Sequence, residues 1–225
     1  VFGCTSAIRA AAARHQESDD PVIVIVDYGL GNVLAFANVY KKLSIQARVA
    51  RCAADLTGAT RLILPGVGSF DHALERLDQS GMRAPLTELV TGHGVPVLGI
   101  CVGMQILANS SEEGQMQGLG WIRGRVRRFD VSTLFQKTHL PHMGWNDVRP
   151  LRSSALFSGL ESDARFYFLH SFCFVCERDE DVLATTDYGA SFSSAVGCGN
   201  VYGVQFHPEK SHHFGTRLLQ NFAGL

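Results

Sequence analysis

The sequence lacks the features that mark several large classes of protein. Its apolar runs fall well short of the roughly 20 residues that a membrane-spanning helix needs. Twenty basic residues balance 21 acidic ones, for a formal net charge of -1. No excess of positive charge favours nucleic acid or an anionic membrane surface. We therefore expect neither a nucleic acid nor a membrane among its partners.

The chain also lacks a disulfide framework and a recognisable metal site. Its six cysteines are irregularly spaced, which fits a reducing, cytoplasmic setting. The single Cys-x-x-Cys, Cys173 and Cys176, lies in a predicted strand, where positions i and i+3 face opposite sides. No second such pair and no spaced histidine pair completes a zinc site, and the glycine-rich signatures of nucleotide-binding loops are missing. We expect no metal and no cofactor.

Composition divides the chain into two segments. Residues 1–20 begin rich in Ala and Arg and end in an acidic stretch, and we expect a flexible N-terminal extension without chemistry of its own. Residues 22–225 contain no internal repeat and no low-complexity linker, so we expect one domain there. With 46% hydrophobic and 18% charged residues, a chain of this length can bury a full core.

The order of apolar runs predicts an α/β fold. Between Val22 and Cys101, β-branched or apolar runs alternate with helical periodicity, as in a parallel sheet flanked by helices. After Gly114 the runs are shorter and alternate apolar with polar residues, which predicts added antiparallel strands. The last strand covers about 200–206, and a closing helix runs from about 211 to 222. The predicted class is a mostly parallel central sheet flanked by helices, with antiparallel strands added.

A cysteine between two glycines ends one of the buried strands. In Gly99-Ile100-Cys101-Val102-Gly103 an apolar run meets a helix-compatible sequence at once. Such a junction lifts a nucleophile to the end of a strand, and the glycines permit strained dihedrals or close backbone approach. The N-terminus of the following helix favours a thiolate. A buried core cysteine is the alternative that this stretch leaves open.

His207 and Glu209 supply what a nucleophilic cysteine needs. They follow the last apolar strand two positions apart, and Pro208 between them fixes the bend. Positions i and i+2 of an extended chain face the same way, so the carboxylate can approach the imidazole. We predict a triad in which Cys101 attacks, His207 takes and returns a proton, and Glu209 orients the ring.

Together these motifs resemble class I (triad-type) glutamine amidotransferases over about residues 22–225. Within that family they are most similar to the glutaminase subunits of imidazole glycerol phosphate synthase. Two features point to this subfamily: the block after Leu140, which reads Pro-His-Met-Gly-Trp-Asn, and the lysine that follows Glu209. The segments that carry the resemblance are Pro65–Gly68, Gly99–Gln105, Leu140–Asn146, Tyr167–Ser171 and His207–Ser211.

The resemblance implies that the chain hydrolyses glutamine to glutamate and ammonia. The Val102 N–H is one oxyanion donor by the geometry of the sharp strand-to-helix turn at Cys101. The resemblance implies a second donor from the loop that follows Pro65, after that loop rearranges. Two departures are Val102, where the family more often has Leu, and Phe172, where Tyr is common. The implied loop residues are Gly66, Val67 and Gly68, and the implied glutamine contacts are Gln105, Glu113 and the backbone around His170, Ser171 and Phe172.

The resemblance also implies a partner. Asn32, Trp145, Tyr167 and Lys210 match positions that face a cyclase subunit, a (β/α)₈ barrel, in a heterodimer. The barrel receives the ammonia through a closed channel and makes imidazole glycerol phosphate and aminoimidazole carboxamide ribotide in histidine biosynthesis. Two alternatives stay open: a paralogous subunit that feeds ammonia to another synthase, such as one for amidino sugars, and a catalytically silent partner-binding subunit.

Overall fold

The computed structural model describes residues 22–130, 132 and 139–225. The extension predicted for residues 1–20 lies outside these ranges. The strands are β1 (Ile23–Val26), β2 (Ala47–Ala50), β3 (Arg61–Gly66), β4 (Val97–Cys101), β5 (Ser110–Ser111), β6 (Gly124–Arg128), β7 (His142–Asp147), β8 (Arg149–Pro150), β9 (Arg165–His170), β10 (Phe172–Cys176), β11 (Val182–Tyr188), β12 (Ala190–Cys198) and β13 (Val201–Val204).

The helices lie mainly between the strands of the N-terminal half and at the C-terminus. In the ranges that the structure describes, no helix is long and apolar enough to cross a bilayer. The α-helices are α1 (Val33–Lys42), α2 (Phe70–Gln79), α3 (Arg83–Thr87), α4 (Val102–Gln105) and α5 (His212–Ala223).

The central sheet has a parallel core. Strands β2, β1, β3, β4 and β13 lie side by side in that order, and each neighbouring pair is parallel. Beyond β13 the pairs β13–β12, β12–β10 and β10–β6 are antiparallel, and β5 closes this edge parallel to β6. Strand β11 pairs with β12 and β8, and β7 and β9 form a separate antiparallel pair. The predicted fold class is confirmed.

The apolar patterns of the core strands and helices reflect this layering. Every residue of β1 and β4 is buried, as expected for parallel strands covered on both faces. Helix α1 buries Val33, Phe36 and Tyr40, whose spacing of three and four places them on one side of the helix. Burying each such large apolar side chain stabilises the fold by roughly 1.5–3 kcal/mol.

Two elements differ from the sequence prediction. Among the shorter runs after Gly114, residues 146–149 predict a strand, whereas the structure has β7, which begins at His142, followed by the short β8. Apolar periodicity misplaced β7 because its large apolar side chains face outward: Met143 is 65% exposed and Trp145 is 40% exposed. The helix predicted after Cys101 is only the single turn α4, so it brings free N–H groups to the sulfur but little of a helix dipole.

Candidate active site

Cys101 stands at the carboxyl end of β4 in a strained backbone conformation. Its φ is +55° and its ψ is -112°, in the left-handed half of conformational space that residues other than glycine rarely occupy. Such strain is typical of a nucleophile on a sharp strand-to-helix turn. The register of β3 and β4 places Cys101 directly beside Gly66.

Gly99 and Gly103 allow the backbone to pack on itself beneath this turn. A Cβ atom on Gly103 would lie 1.9 Å from the carbonyl oxygen of Leu64, and one on Gly99 would lie 2.5 Å from the carbonyl oxygen of Gly103. Both contacts are far shorter than real Cβ atoms make. The sequence predicts that these glycines permit either strained dihedrals or close backbone approach, and the structure shows close approach. The residue with the strained dihedral is Cys101 itself.

The structure brings Cys101, His207 and Glu209 together in a buried row. The His207 Nδ1 atom lies 2.9 Å from the Glu209 Oε1 atom, and both side chains are about 5% exposed or less. The Cys101 side chain is also close enough to the imidazole to raise the pKa of His207. Because Glu209 occupies Nδ1, the ring presents its other nitrogen to the sulfur. The backbone fixes this placement, since the His207 N–H donates to the Tyr167 carbonyl at 2.9 Å.

The surroundings of His207 raise its basicity. Burial by itself lowers the pKa of His207, but the hydrogen bonds to Cys101 and Glu209 and the charges of both partners outweigh burial and raise it to about 9. An imidazole with this pKa is protonated at neutral pH. His207 is therefore an imidazolium in the resting state.

Two further groups touch the Cys101 sulfur. The Leu169 carbonyl oxygen lies 3.9 Å from Sγ, and the Gln205 Nε2 atom lies 3.7 Å from it. Sequence analysis missed Gln205, although a signal was present. It is a polar residue inside an apolar run and precedes His207 by two positions, so an extended chain directs both side chains the same way.

A cavity of about 300 Å³ opens beside the sulfur. Its volume lies at the lower end of the range for ligand sites and suits a molecule the size of an amino acid. Pro141 and Leu169, which were not predicted, also line it. Most predicted site residues line this cavity: Val67, Gly68, Cys101, Val102, Gln105, Glu113, His170, Ser171, Phe172, His207 and Lys210.

Of the predicted oxyanion groups, Val67, Gly68 and Val102 line the cavity, and Gly66 lies beside Cys101 on the neighbouring strand. Val102 begins α4, so its N–H has no acceptor within the helix. Gly66 ends β3, and Gly68 has a φ of +93°. The Tyr28 hydroxyl, which was not predicted, donates to the Pro65 carbonyl at 2.6 Å. Burial raises the pKa of Tyr28, so this hydroxyl keeps its proton and holds the beginning of the loop.

The predicted glutamine contacts already have partners within the protein. Gln105 Nε2 donates to the Phe172 carbonyl at 3.3 Å and to Gln205 Oε1 at 3.0 Å, so it presents its carbonyl oxygen to the cavity. Glu113 Oε2 accepts the Phe70 N–H at 2.8 Å. It thereby caps α2, whose N-cap residue, Ser69, makes no side-chain capping bond.

Two buried histidines support the wall of the cavity. His142 Nδ1 lies 3.0 Å from His170 Nε2, and His170 Nδ1 lies 2.7 Å from the Phe172 carbonyl. A carbonyl only accepts, so His170 carries its proton on Nδ1 and accepts from His142 through Nε2. Burial lowers the pKa of His142 to about 4 and that of His170 to about 3. Both rings are therefore neutral at pH 7.

We expect these two histidines to destabilise the protein as the pH falls from 6.5 to 4.5. In this window the two histidines become protonated in the unfolded chain, while their buried rings stay mostly neutral in the folded protein. Each histidine therefore lowers the free energy of unfolding by about 1.4 kcal/mol per pH unit. His207 adds little slope over most of this window. Its raised pKa keeps the folded ring protonated, and the unfolded ring, with an ordinary pKa near 6.5, is also mostly protonated below about pH 5.5. Urea unfolding at pH 6.5, 5.5 and 4.5 measures the effect. The slope of His142→Gln should be smaller by about 1 kcal/mol per pH unit, and the exposed control His72→Gln should follow the wild type. Equal slopes for all three proteins would contradict the expectation.

The predicted interface residues form a cluster next to the cavity, with one exception. The Trp145 and Tyr167 rings meet edge to face at 6.4 Å, and Lys210 Nζ lies 5.6 Å from the Tyr167 ring centre. The Trp145 ring also stacks on His212 at 5.2 Å. Asn32 instead caps α1, where its side chain accepts the Ala35 N–H at 3.2 Å.

The groups around the cavity define the chemistry that the site offers. Across the described ranges, no group of three or more His, Cys, Asp and Glu side chains is placed to hold a metal ion. What the arrangement offers is a buried thiol, a base of raised pKa, a carboxylate behind the base and backbone N–H groups beside a small cavity. Nucleophilic acyl transfer needs these groups.

Comparison with known proteins gives a consistent result. The chain matches the family model for glutamine amidotransferase class-I over residues 24–224. It is 62% identical over 204 residues to the imidazole glycerol phosphate synthase subunit HisH of Bdellovibrio bacteriovorus, covering 91% of this chain and 100% of that protein. It is 50% identical over 204 residues to HisH of Leptospira interrogans, with the same shares covered. A crystal structure of a glutamine amidotransferase matches with a TM-score of 0.69 and 22% identity, covering 90% of this chain and 99% of that one. This last likeness concerns the fold.

Proposed function

Because the chain belongs to the class I glutamine amidotransferase family, we propose that it is the glutaminase subunit of an imidazole glycerol phosphate synthase in histidine biosynthesis. The relatives at 62% and 50% identity carry that subunit name, which supports this synthase over others that use ammonia. The observation that carries the proposal is the buried row of Cys101, His207 and Glu209 on the wall of a small cavity. In this proposal residues 22–225 form the amidotransferase domain and residues 1–20 extend it.

The first half of the proposed reaction forms a thioester. The Cys101 thiolate attacks the side-chain amide carbon of glutamine, and the carbonyl oxygen takes up the negative charge. His207, protonated at rest because its pKa is raised to about 9, gives its proton to the amide nitrogen. Ammonia leaves, and Cys101 carries the glutamyl group.

The second half releases glutamate. A water molecule attacks the thioester carbon while His207, now neutral, takes one of its protons. The carbon–sulfur bond breaks, glutamate leaves, and the thiolate and imidazolium are restored. Glu209 accepts a hydrogen bond from the Nδ1–H group throughout and keeps the other ring nitrogen facing the sulfur.

Two backbone donors stabilise the oxyanion in this proposal. The Val102 N–H is in place at the start of α4. The second comes from the loop of Gly66, Val67 and Gly68, which turns when the partner binds. Losing one such donor typically slows a reaction by about 10²–10³, so a loop held through Tyr28 and Pro65 restrains turnover in the free subunit.

Glutamine binds with its charged end away from the sulfur. We assign the α-ammonium group to the Glu113 carboxylate and the carbonyl oxygen of Gln105, which both line the cavity. Backbone near His170, Ser171 and Phe172 lines the opposite side of the substrate. The two buried histidines fix this wall through the Phe172 carbonyl.

The ammonia product explains the need for a partner. In water at pH 7 ammonia is mostly protonated and no longer a nucleophile, so it must pass through a closed channel. Lys210 lines the cavity and also lies over the Tyr167 ring, so it joins the site to the exposed cluster around Trp145. We propose that this cluster packs against the cyclase barrel, with Asn32 at the edge of the same interface.

Glutamine hydrolysis in the assembled synthase tests this function. The chain is mixed with the cyclase barrel subunit and its ribotide ligand, and glutamate and ammonia are measured against the isolated chain. We expect weak hydrolysis alone and strong hydrolysis in the complex. A folded complex that released no ammonia would overturn the glutaminase assignment, whereas full activity without a partner would remove the case for a restrained loop.

Trp145→Ala should weaken the complex about tenfold or more, because large aromatic anchors carry much of the energy of an interface. Titration calorimetry of the chain with the barrel subunit measures the dissociation constant. Val175→Ala is the matched control: Val175 is also a partly exposed apolar residue, at 38%, but it lies in β10 of the central sheet. Equal affinities for both variants would place the interface elsewhere.

A further inference from the structure

We propose that the side-chain amide of Gln205 is a catalytic group that holds the Cys101 sulfur as a thiolate. Its Nε2 atom donates to Sγ at 3.7 Å, and Gln205 is fully buried. The inference rests on the proposed function only in taking Cys101 as the nucleophile. It adds a fourth side chain to the row of Cys101, His207 and Glu209.

The hydrogen-bond network fixes which end of the Gln205 amide faces the sulfur. Gln205 Oε1 accepts from Gln105 Nε2 at 3.0 Å, and Gln105 Nε2 also donates to the Phe172 carbonyl. Rotating the Gln205 amide by half a turn would set its NH₂ group against that of Gln105, with two donors facing each other. The arrangement therefore directs N–H, and not oxygen, toward Cys101.

The sulfur needs such a donor because its other close polar neighbour, the backbone carbonyl of Leu169, disfavours a negative charge on it. The Leu169 carbonyl oxygen, 3.9 Å away, can accept from a thiol but repels a thiolate. Only 4% of Cys101 is exposed, so water cannot solvate the anion freely. With the proton on His207, the Gln205 N–H provides the thiolate with the solvation that burial removes.

Gln205 is also anchored independently of the oxyanion loop. It directly follows β13, and its backbone N–H donates to the Ser194 carbonyl at 2.9 Å. The thiolate is thus supported in the free subunit, before any partner rearranges the loop of Gly66 to Gly68. The inference therefore predicts an effect of Gln205 on sulfur reactivity in the chain alone, as well as on turnover in the complex.

Alkylation of the full-length chain by iodoacetamide, followed by peptide mass spectrometry, tests the inference. In Gln205→Met we expect the pH midpoint for alkylation of Cys101 to move up by about one unit, as for the loss of a hydrogen bond to a charged group. At each pH below the wild-type midpoint the rate should therefore fall about tenfold. Exposed Cys52 in the same chain should react unchanged. In the synthase complex, kcat for glutamine should fall about tenfold, while KM changes less than twofold.

Two further variants make the experiment decisive. Gln205→Glu keeps the size of the side chain and the oxygen that accepts from Gln105, but it removes the donor and adds negative charge. It should move the midpoint further than Gln205→Met, and it serves if Gln205→Met does not fold. Gln220→Met makes the same change at an exposed position of α5 and should match the wild type.

The outcomes separate this inference from the proposed function. If the Gln205 variants are alkylated at Cys101 like the wild type while the wild-type complex hydrolyses glutamine, the role of Gln205 is overturned and the proposed function stands. If the alkylation profile of the variants is shifted but the wild-type complex releases no ammonia, the glutaminase assignment is overturned. The support of the sulfur by Gln205 then still stands.

Discussion

Cys101→Ala is expected to abolish glutamine hydrolysis while leaving ammonia-dependent synthesis by the cyclase complex intact. Removing the nucleophile of a triad lowers turnover by a factor on the order of 10⁶. If the two subunits divide the work as proposed, the barrel needs only ammonia, so added ammonium salt should restore product formation. Glutamate release and cyclase product are measured in parallel on the same complex. Cys101→Ser should behave similarly, because a hydroxyl is a far weaker nucleophile than a thiolate.

Controls for this experiment come from the other cysteines. Cys52 is exposed and lies away from the cavity lining, so Cys52→Ala should retain both activities. If ammonium salt failed to rescue a folded Cys101→Ala complex, the two subunits would not divide the work as proposed. If the variant still released glutamate at the wild-type rate, another residue would have to be the nucleophile.

Gly103→Ala is expected to cause the largest loss of stability among the glycine substitutions that the site suggests. The added Cβ would lie 1.9 Å from the Leu64 carbonyl oxygen, and two backbone segments would have to separate to admit it. The cost should be at least about 3 kcal/mol, the upper end of ordinary overpacking. Helix propensity alone predicts the opposite sign, since alanine is favoured over glycine by about 1 kcal/mol inside a helix.

Gly224→Ala is the matched control. Gly224 also has a right-handed conformation, and the nearest atom to its Cβ would lie at 3.4 Å, so its unfolding free energy should stay within about 0.5 kcal/mol of the wild type. Urea unfolding of the three proteins measures both effects. A Gly103→Ala protein as stable as the Gly224→Ala protein would show that β3, β4 and α4 do not pack as tightly as the structure indicates.

The sequence by itself determined the sheet and the ends of its key strands. Apolar periodicity is local, and parallel strands covered on both faces leave unbroken runs such as Ile23–Val26. The glycines around Cys101 and the spacing of His207 and Glu209 are local patterns too. They predicted a sharp turn that carries a nucleophile, a base and its orienting carboxylate without any knowledge of which strands are neighbours.

Only the tertiary structure decided what touches the sulfur. Gln205 and Leu169 reach Cys101 across sequence separations of 104 and 68 residues, and no local pattern specifies such pairs. Strand order sets them, because β4 lies between β3 and β13 and their carboxyl ends meet at one edge of the sheet. The structure also shows α4 as a single turn and the apolar side chains of Met143 and Trp145 facing outward from β7, which apolar periodicity does not predict.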